Sequence, residues 1–116
     1  LILHIVDNEE WLKAKDKGIY APSSLESDGF IHCSTKEQVI EVANFLFKGH
    51  TGLVLLCIDS NKVKAKIIYE DLYETGKLYP HIYGSLHADA VFKVINFELK
   101  KDGTFNFPKE IDDIAL

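Results

Sequence analysis

Three histidines stand where apolar strands usually carry valine or isoleucine: His4 in LILHIV, His32 in GFIHCST and His81 in YPHIYG. Strand side chains alternate between two faces, so each ring points out of an otherwise greasy row. Ile2, His4 and Val6 share one such row, Phe30, His32 and Ser34 a second, and His81 and Tyr83 a third. Burying an imidazole without partners costs a few kcal/mol, so each ring needs either a hydrogen bond or a cleft. Three rings turned toward one cleft would make a site. Glu70 closes the hydrophobic run IIYE, where a carboxylate is out of place. It could orient a sugar hydroxyl or steady positive charge that develops during a reaction.

Other chemistries fit these residues less well. The histidines lie on separate segments with no short His-x-x-x-His pair, so no metal site is expected. Cys33 is adjacent to His32 in sequence, but consecutive strand residues point apart and make a poor nucleophile–base pair. The Ser34 hydroxyl is better suited to capping a helix than to a triad. His50 and His87 fall among loop residues and read as surface. The plain alternatives are that the histidines secure the core through backbone carbonyls and that Glu70 simply reaches water.

These residues need elements to hold them. LILHIV has the apolar density of a central strand, and Asp7 with Glu10 forms a capping box for a helix that buries Trp11 and Leu12 and stops at Gly18. IYAPSSLESDG is rich in turn residues and reads as a loop crossing the molecule. FIHC is a second strand. STKEQ then starts a helix, capped by Ser34 with Glu37 or Thr35 with Gln38. Val39, Val42, Ala43, Leu46 and Phe47 lie on its inner face, and Gly49 ends it. LVLLCI is apolar throughout, as in a strand covered on both sides. VKAKIIYE and PHIYG add strands. AVFKVINFEL and TFNF flank the hairpin signal Asp102–Gly103, and one loose turn follows Pro108.

At 116 residues the chain is one domain, residues 1–116, with an ordinary hydrophobic share of 47% and charged share of 27%. No run reaches the roughly 18 apolar residues of a membrane span. LILHIV is too short for a signal peptide, and with no methionine in the chain the true start is expected slightly upstream. The net charge of −5 offers no broad field for nucleic acid. Lys62, Lys64 and Lys66 alternate along one solvated strand face. Cys33 and Cys57 read as buried thiols of a cytoplasmic protein. No Gly-x-Gly-x-x-Gly follows a strand, which counts against a Rossmann fold. Two main helices on five to seven strands make an α+β domain.

With His4, GFIHCST, the glutamate of YED, YPHIYGSL and DAVFKV in hand, the chain resembles the family called domain of unknown function 952, small and mostly bacterial proteins. The likeness runs from about residue 1 to 99, with the C-terminal hairpin strand and tail over 100–116 outside it. Ser85 departs from it, since relatives commonly carry proline there. The family is similar to the ADP-ribosyltransferase-like superfamily, whose split, partly open mixed sheet binds NAD without a Gly-rich loop. The resemblance implies NAD held by His4, His32, Ser34, Thr35 and Tyr83. It leaves the catalytic position open between Glu70 and His81. Tyr83 or Tyr79 could stack a ring of the ligand. The expectation is therefore an NAD-binding enzyme of ADP-ribosyl-transfer type, or else a non-catalytic module binding another small molecule in the same cleft.

Overall fold

The computed structural model describes residues 1–114. Its first strand, β1 (Ile2–Asp7), runs antiparallel to β4 (Leu53–Ile58), which pairs in turn with β8 (Val91–Phe97). This three-stranded sheet, in the order β1-β4-β8, is the centre of the molecule. Every residue of β4 is buried, and alternation explains how. Val54, Leu56 and Ile58 face one apolar cluster, and Leu53, Leu55 and Cys57 face another. Full burial of each large aliphatic side chain contributes on the order of 2 kcal/mol, so this strand anchors both layers.

Helix α1 (Asn8–Lys17) follows β1 directly. Asp7 caps it by accepting from the Glu9 N–H, and Gly18 ends it in the left-handed conformation at φ 79°, as its position forecast. The helix buries Trp11 and Ala14, whereas Leu12, expected inside, is half exposed. One turn of rotation separates Trp11 from Ala14 and leaves Leu12 on the water side. The expected crossing loop contains two small elements, β2 (Ile19–Tyr20) and α2 (Ser24–Ser27).

A second sheet consists of β3 (Ile31–His32), β5 (Lys66–Glu70) and β6 (Tyr79–Tyr83), with β6 in the middle. Between β3 and β5, α3 (Val39–Leu46) buries Val39 and Ala43 against the far side of the central sheet. Leu46 was expected on that inner face but is largely exposed. The helix also begins later than STKEQ suggested. Gln38 does accept from the Thr35 N–H at 3.0 Å, one arm of the anticipated pair, while Ser34 is taken up by main-chain bonds to Leu3. β7 (Leu86–His87) pairs with β2. The anticipated C-terminal hairpin reduces to a single bridge between Leu99 and Phe105, and the turn after Pro108 is α4 (Lys109–Asp112).

The domain is thus α+β. Every strand pairing among the described residues is antiparallel, in contrast to the mixed sheet expected from the resemblance. The connections from β1 to β4 and from β4 to β8 are long and carry α1, α2, α3 and the strands of the second sheet. Lys66 alone of the three alternating lysines lies in a strand; Lys62 belongs to a 3-10 turn and Lys64 to the connection that follows.

Candidate functional site

The register of the second sheet decides which side chains meet. Ile31 lies opposite Ile82, and Ile82 opposite Ile67. That face enters the core cluster beside Val54, Leu56 and Ile58. Adjacent residues point the other way, so His32 lies opposite His81, and Tyr83 opposite Lys66, on the outer face. Two histidines from strands far apart in sequence become cross-strand neighbours, with ring centroids 5.6 Å apart.

Each ring is backed by a carboxylate. His81 is 2% exposed, and its Nδ1–H donates to Glu70 Oε1 at 2.8 Å. The Tyr83 hydroxyl donates to the same oxygen. Among the described residues no hydrogen bond reaches Glu70 Oε2. The Tyr83 O–H first, and then the His81 N–H, hold the Glu70 carboxyl below its usual range, so it is ionised near neutrality. The same bond pushes the Tyr83 phenol upward. His32 Nε2 bonds Asp28 Oδ2 at 2.8 Å, and both side chains are open to water. Asp28 ends α2, and Gly29 at φ 85° turns the chain from there into β3, which brings the carboxylate back over the ring.

Phe30 is the floor of this group. It stacks on His81 at 4.0 Å between centroids and lies 4.6 Å from His32 and 5.3 Å from Tyr83, yet is itself 3% exposed. It covers His81, so that ring acts on Glu70 rather than on anything outside. Glu70 and His81, the two alternatives for the catalytic position, are hydrogen-bonded partners in one constellation.

His4 lies elsewhere. It sits between the two sheets, buried in the row of Ile2 and Val6. Its Nδ1 lies 2.5 Å from the His32 carbonyl oxygen, and its Nε2 lies 2.7 Å from the Tyr20 hydroxyl. A carbonyl can only accept, so Nδ1 carries the proton and Nε2 accepts from Tyr20. Burial, against the opposing pull of the His32 carbonyl, lowers the His4 pKa to about 4. The imidazole is neutral and both nitrogens are committed within the protein. Of the three histidines expected to converge, His32 and His81 lie side by side and His4 does not join them, approaching β3 from beneath.

Ser34 and Thr35 also leave the group. Ser34 is buried and exchanges two 2.8 Å main-chain bonds with Leu3, tying the second sheet to β1. Thr35 lines a cavity of about 200 Å³ with Leu1, Lys36, Glu37, Ile111 and Ile114. A larger hollow, about 470 Å³, lies at the end of the central sheet beside Asn8, Gly52, Asn96 and Phe97. Neither hollow includes His32, His81, Glu70 or Tyr83, and the side chains of His32, Asp28 and Tyr83 stand open to water on the outer face of the sheet. Cys33 is buried, which raises its thiol well above the ordinary range and removes it as a nucleophile. Tyr79 opposes Glu70 at the strand end and is partly exposed.

Three residues in or behind this group carried little sequence signal. Tyr20 lies in what reads as a loop, and Phe30 reads as ordinary core. Asp28 is four residues before His32, a spacing that implies contact only if the chain turns at Gly29.

Among curated proteins no relative matches. The crystal structure of protein CC0527 from Caulobacter crescentus aligns at a TM-score of 0.85 and 29% identity, over 96% of this chain and 97% of that one. A methionine double mutant of the same protein gives the same values. Its solution NMR structure aligns at 0.73 and 31% identity, over 99% of this chain and 97% of that one. The model of the family described as "Protein of unknown function (DUF952)" matches residues 5–94, a span that holds β1 from Ile5 and all of β3, β5 and β6. The chain belongs to that family.

Proposed function

We propose that the outer face of the second sheet binds NAD as a substrate and transfers its ADP-ribosyl group to an acceptor. The supporting observation is Glu70: an ionised carboxylate, fixed through one oxygen by Tyr83 and His81, with the other oxygen unspent. Bound NAD supplies a ribosyl carbon that becomes electron-poor as its bond to nicotinamide breaks. A rigid anion beside that carbon stabilises the positive character without reorganising. Such preorganised groups are typically worth ~10²–10³-fold in turnover.

Supporting roles follow from position. His81 and Tyr83 hold Glu70. His32, oriented by Asp28, is the exposed base that takes the acceptor's proton. Tyr83 offers a partly exposed ring for stacking. Lys66, opposite Tyr83 on the same face, is a cation available to a pyrophosphate. His4, Ser34 and Thr35 take no part in contact with the ligand.

The test is nicotinamide release by the wild type and by Glu70→Gln, with histidine NMR signals followed during NAD titration. Loss of ~10²-fold or more in turnover, with the NAD-induced shifts of His32 retained, is the expected outcome. If saturating NAD leaves the melting temperature and the histidine signals unmoved, the assignment fails. The open face itself favours a second reading, a binding module without turnover, because water is not excluded there. In that case NAD or another nucleotide shifts His32 while no nicotinamide is released from either protein.

A further inference from the structure

The first-strand histidine, which the family resemblance would put against the ligand, is the residue whose geometry is most at odds with that part. His4 is buried, its Nδ1–H donates to the His32 carbonyl and its Nε2 accepts from the Tyr20 hydroxyl. Tyr20 is 3% exposed and packs edge-on to Trp11 at 6.4 Å, so the hydroxyl has little freedom to leave. β2, which carries Tyr20, is pinned by its pairing with β7. β1, which carries His4, is pinned along its whole length by β4.

We infer that His4 and Tyr20 are positioning residues, setting the height of β3 so that the His32 ring is held between Asp28 and His81. β3 is two residues long and has only β6 as a neighbour within its sheet. Beyond the Cys33 N–H bond to the Pro80 carbonyl of β6 and the His32–Asp28 contact, it is tied by the bridge from Ser34 to Leu3 and by the bond from His4 to the carbonyl of His32 itself. The latter grips the residue whose side chain stands on the opposite face. A shift of the carbonyl carries the Cα and ring of His32 with it. Displacement on the order of 1 Å of a group that must meet a substrate can cost ~10²-fold in rate. Tyr20 supports this from one bond further back: its O–H occupies Nε2, which keeps the imidazole proton on Nδ1, where the carbonyl needs it.

The inference deepens the proposed transfer reaction and concerns the same face, but its principal test needs no NAD. Three full-length variants serve: His4→Leu, which removes both bonds; His4→Asn, which keeps an N–H donor for the carbonyl; and Tyr20→Phe, which keeps the ring and loses the hydroxyl. The readout is the cross-strand nuclear Overhauser contact between the His32 and His81 rings and the hydrogen bond of His32 to Asp28, seen in the nitrogen shifts of His32. In His4→Leu and Tyr20→Phe, the ring contact should weaken at least twofold and the His32 nitrogen shifts should move. His4→Asn should restore both toward wild type. Unchanged His32 signals in folded His4→Leu or Tyr20→Phe overturn the inference. Where His4→Leu does not fold, Tyr20→Phe decides alone. Addition of NAD separates the two ideas. If NAD moves His4 more than His32, His4 touches ligand and the positioning role is wrong while NAD binding stands. If NAD moves neither ring, the transfer reading is lost and the variants still judge the positioning role.

Discussion

Replacing His4 by asparagine should flatten the acid side of the protein's stability profile. In the folded chain burial holds the His4 pKa at about 4, against 6.5 for a free imidazole. The unfolded chain therefore takes up a proton as pH falls through the mid-six range, while the native state stays neutral until much lower. A depressed native pKa means that this residue's contribution is complete above pH 6.5 and is lost as pH drops toward about 4. At about 1.4 kcal/mol per unit, the full effect is about 3 kcal/mol, of which about 2 kcal/mol is gone by about pH 5. The carboxyls held low in the native state, Glu70, Asp71 and Asp102, act in a lower window, below ordinary values of 4.5 and 3.8. Urea unfolding of wild type and His4→Asn between about pH 7.5 and about pH 5 thus isolates His4, because the remaining histidines are common to both proteins. Asparagine lowers stability at every pH by losing the Tyr20 bond. What matters is the difference in slope: the wild type should lose about 2 kcal/mol more than the variant over that interval. Equal slopes would show that His4 is not held neutral, and the assignment of its Nδ1–H to the His32 carbonyl would fall with it.

Other outcomes follow from single contacts. Gly84 has φ 156°, and a Cβ there would lie 2.8 Å from the Ala65 Cβ, so Gly84→Ala should cost about 1–3 kcal/mol in a denaturant melt; a neutral result would mean that the β6 end yields freely. Burial pushes the Cys57 thiol up to about 11 and Cys33 higher still, so neither should react with a maleimide at neutral pH until the chain is unfolded. Rapid labelling of the native protein would contradict the buried placement. Tyr83→Phe removes the first of the two donors that hold Glu70 low, so the glutamate carboxyl should titrate at higher pH in the variant by carbon-detected NMR. An unmoved titration would mean that His81 alone sets it.

Much of this molecule was legible residue by residue. β1, β4 and α1 follow from apolar density and from the Asp7 and Gly18 caps, because those signals act within a few residues of chain. The same holds for the alternation that set His32 and His81 sideways from their rows, and for the burial of both thiols. The ends of amphipathic elements were harder. Leu12 and Leu46 are apolar and periodic, yet no second layer covers them, and only packing decides which flank of a helix is inside.

For the candidate site, the sequence determined the participants' types: imidazoles in greasy strands, a misplaced carboxylate at Glu70, and a tyrosine two residues beyond His81. Strand alternation could say that each histidine left its row, but not toward what, since direction depends on which strand lies opposite and in what register. The β3–β6–β5 register alone put His32 across from His81 and let Glu70 reach Nδ1. The order of the central sheet alone turned His4 inward, where a main-chain carbonyl and a tyrosine from a loop-like segment take both its nitrogens. Local sequence sets which face a side chain occupies relative to its neighbours; long-range pairing sets what that face meets.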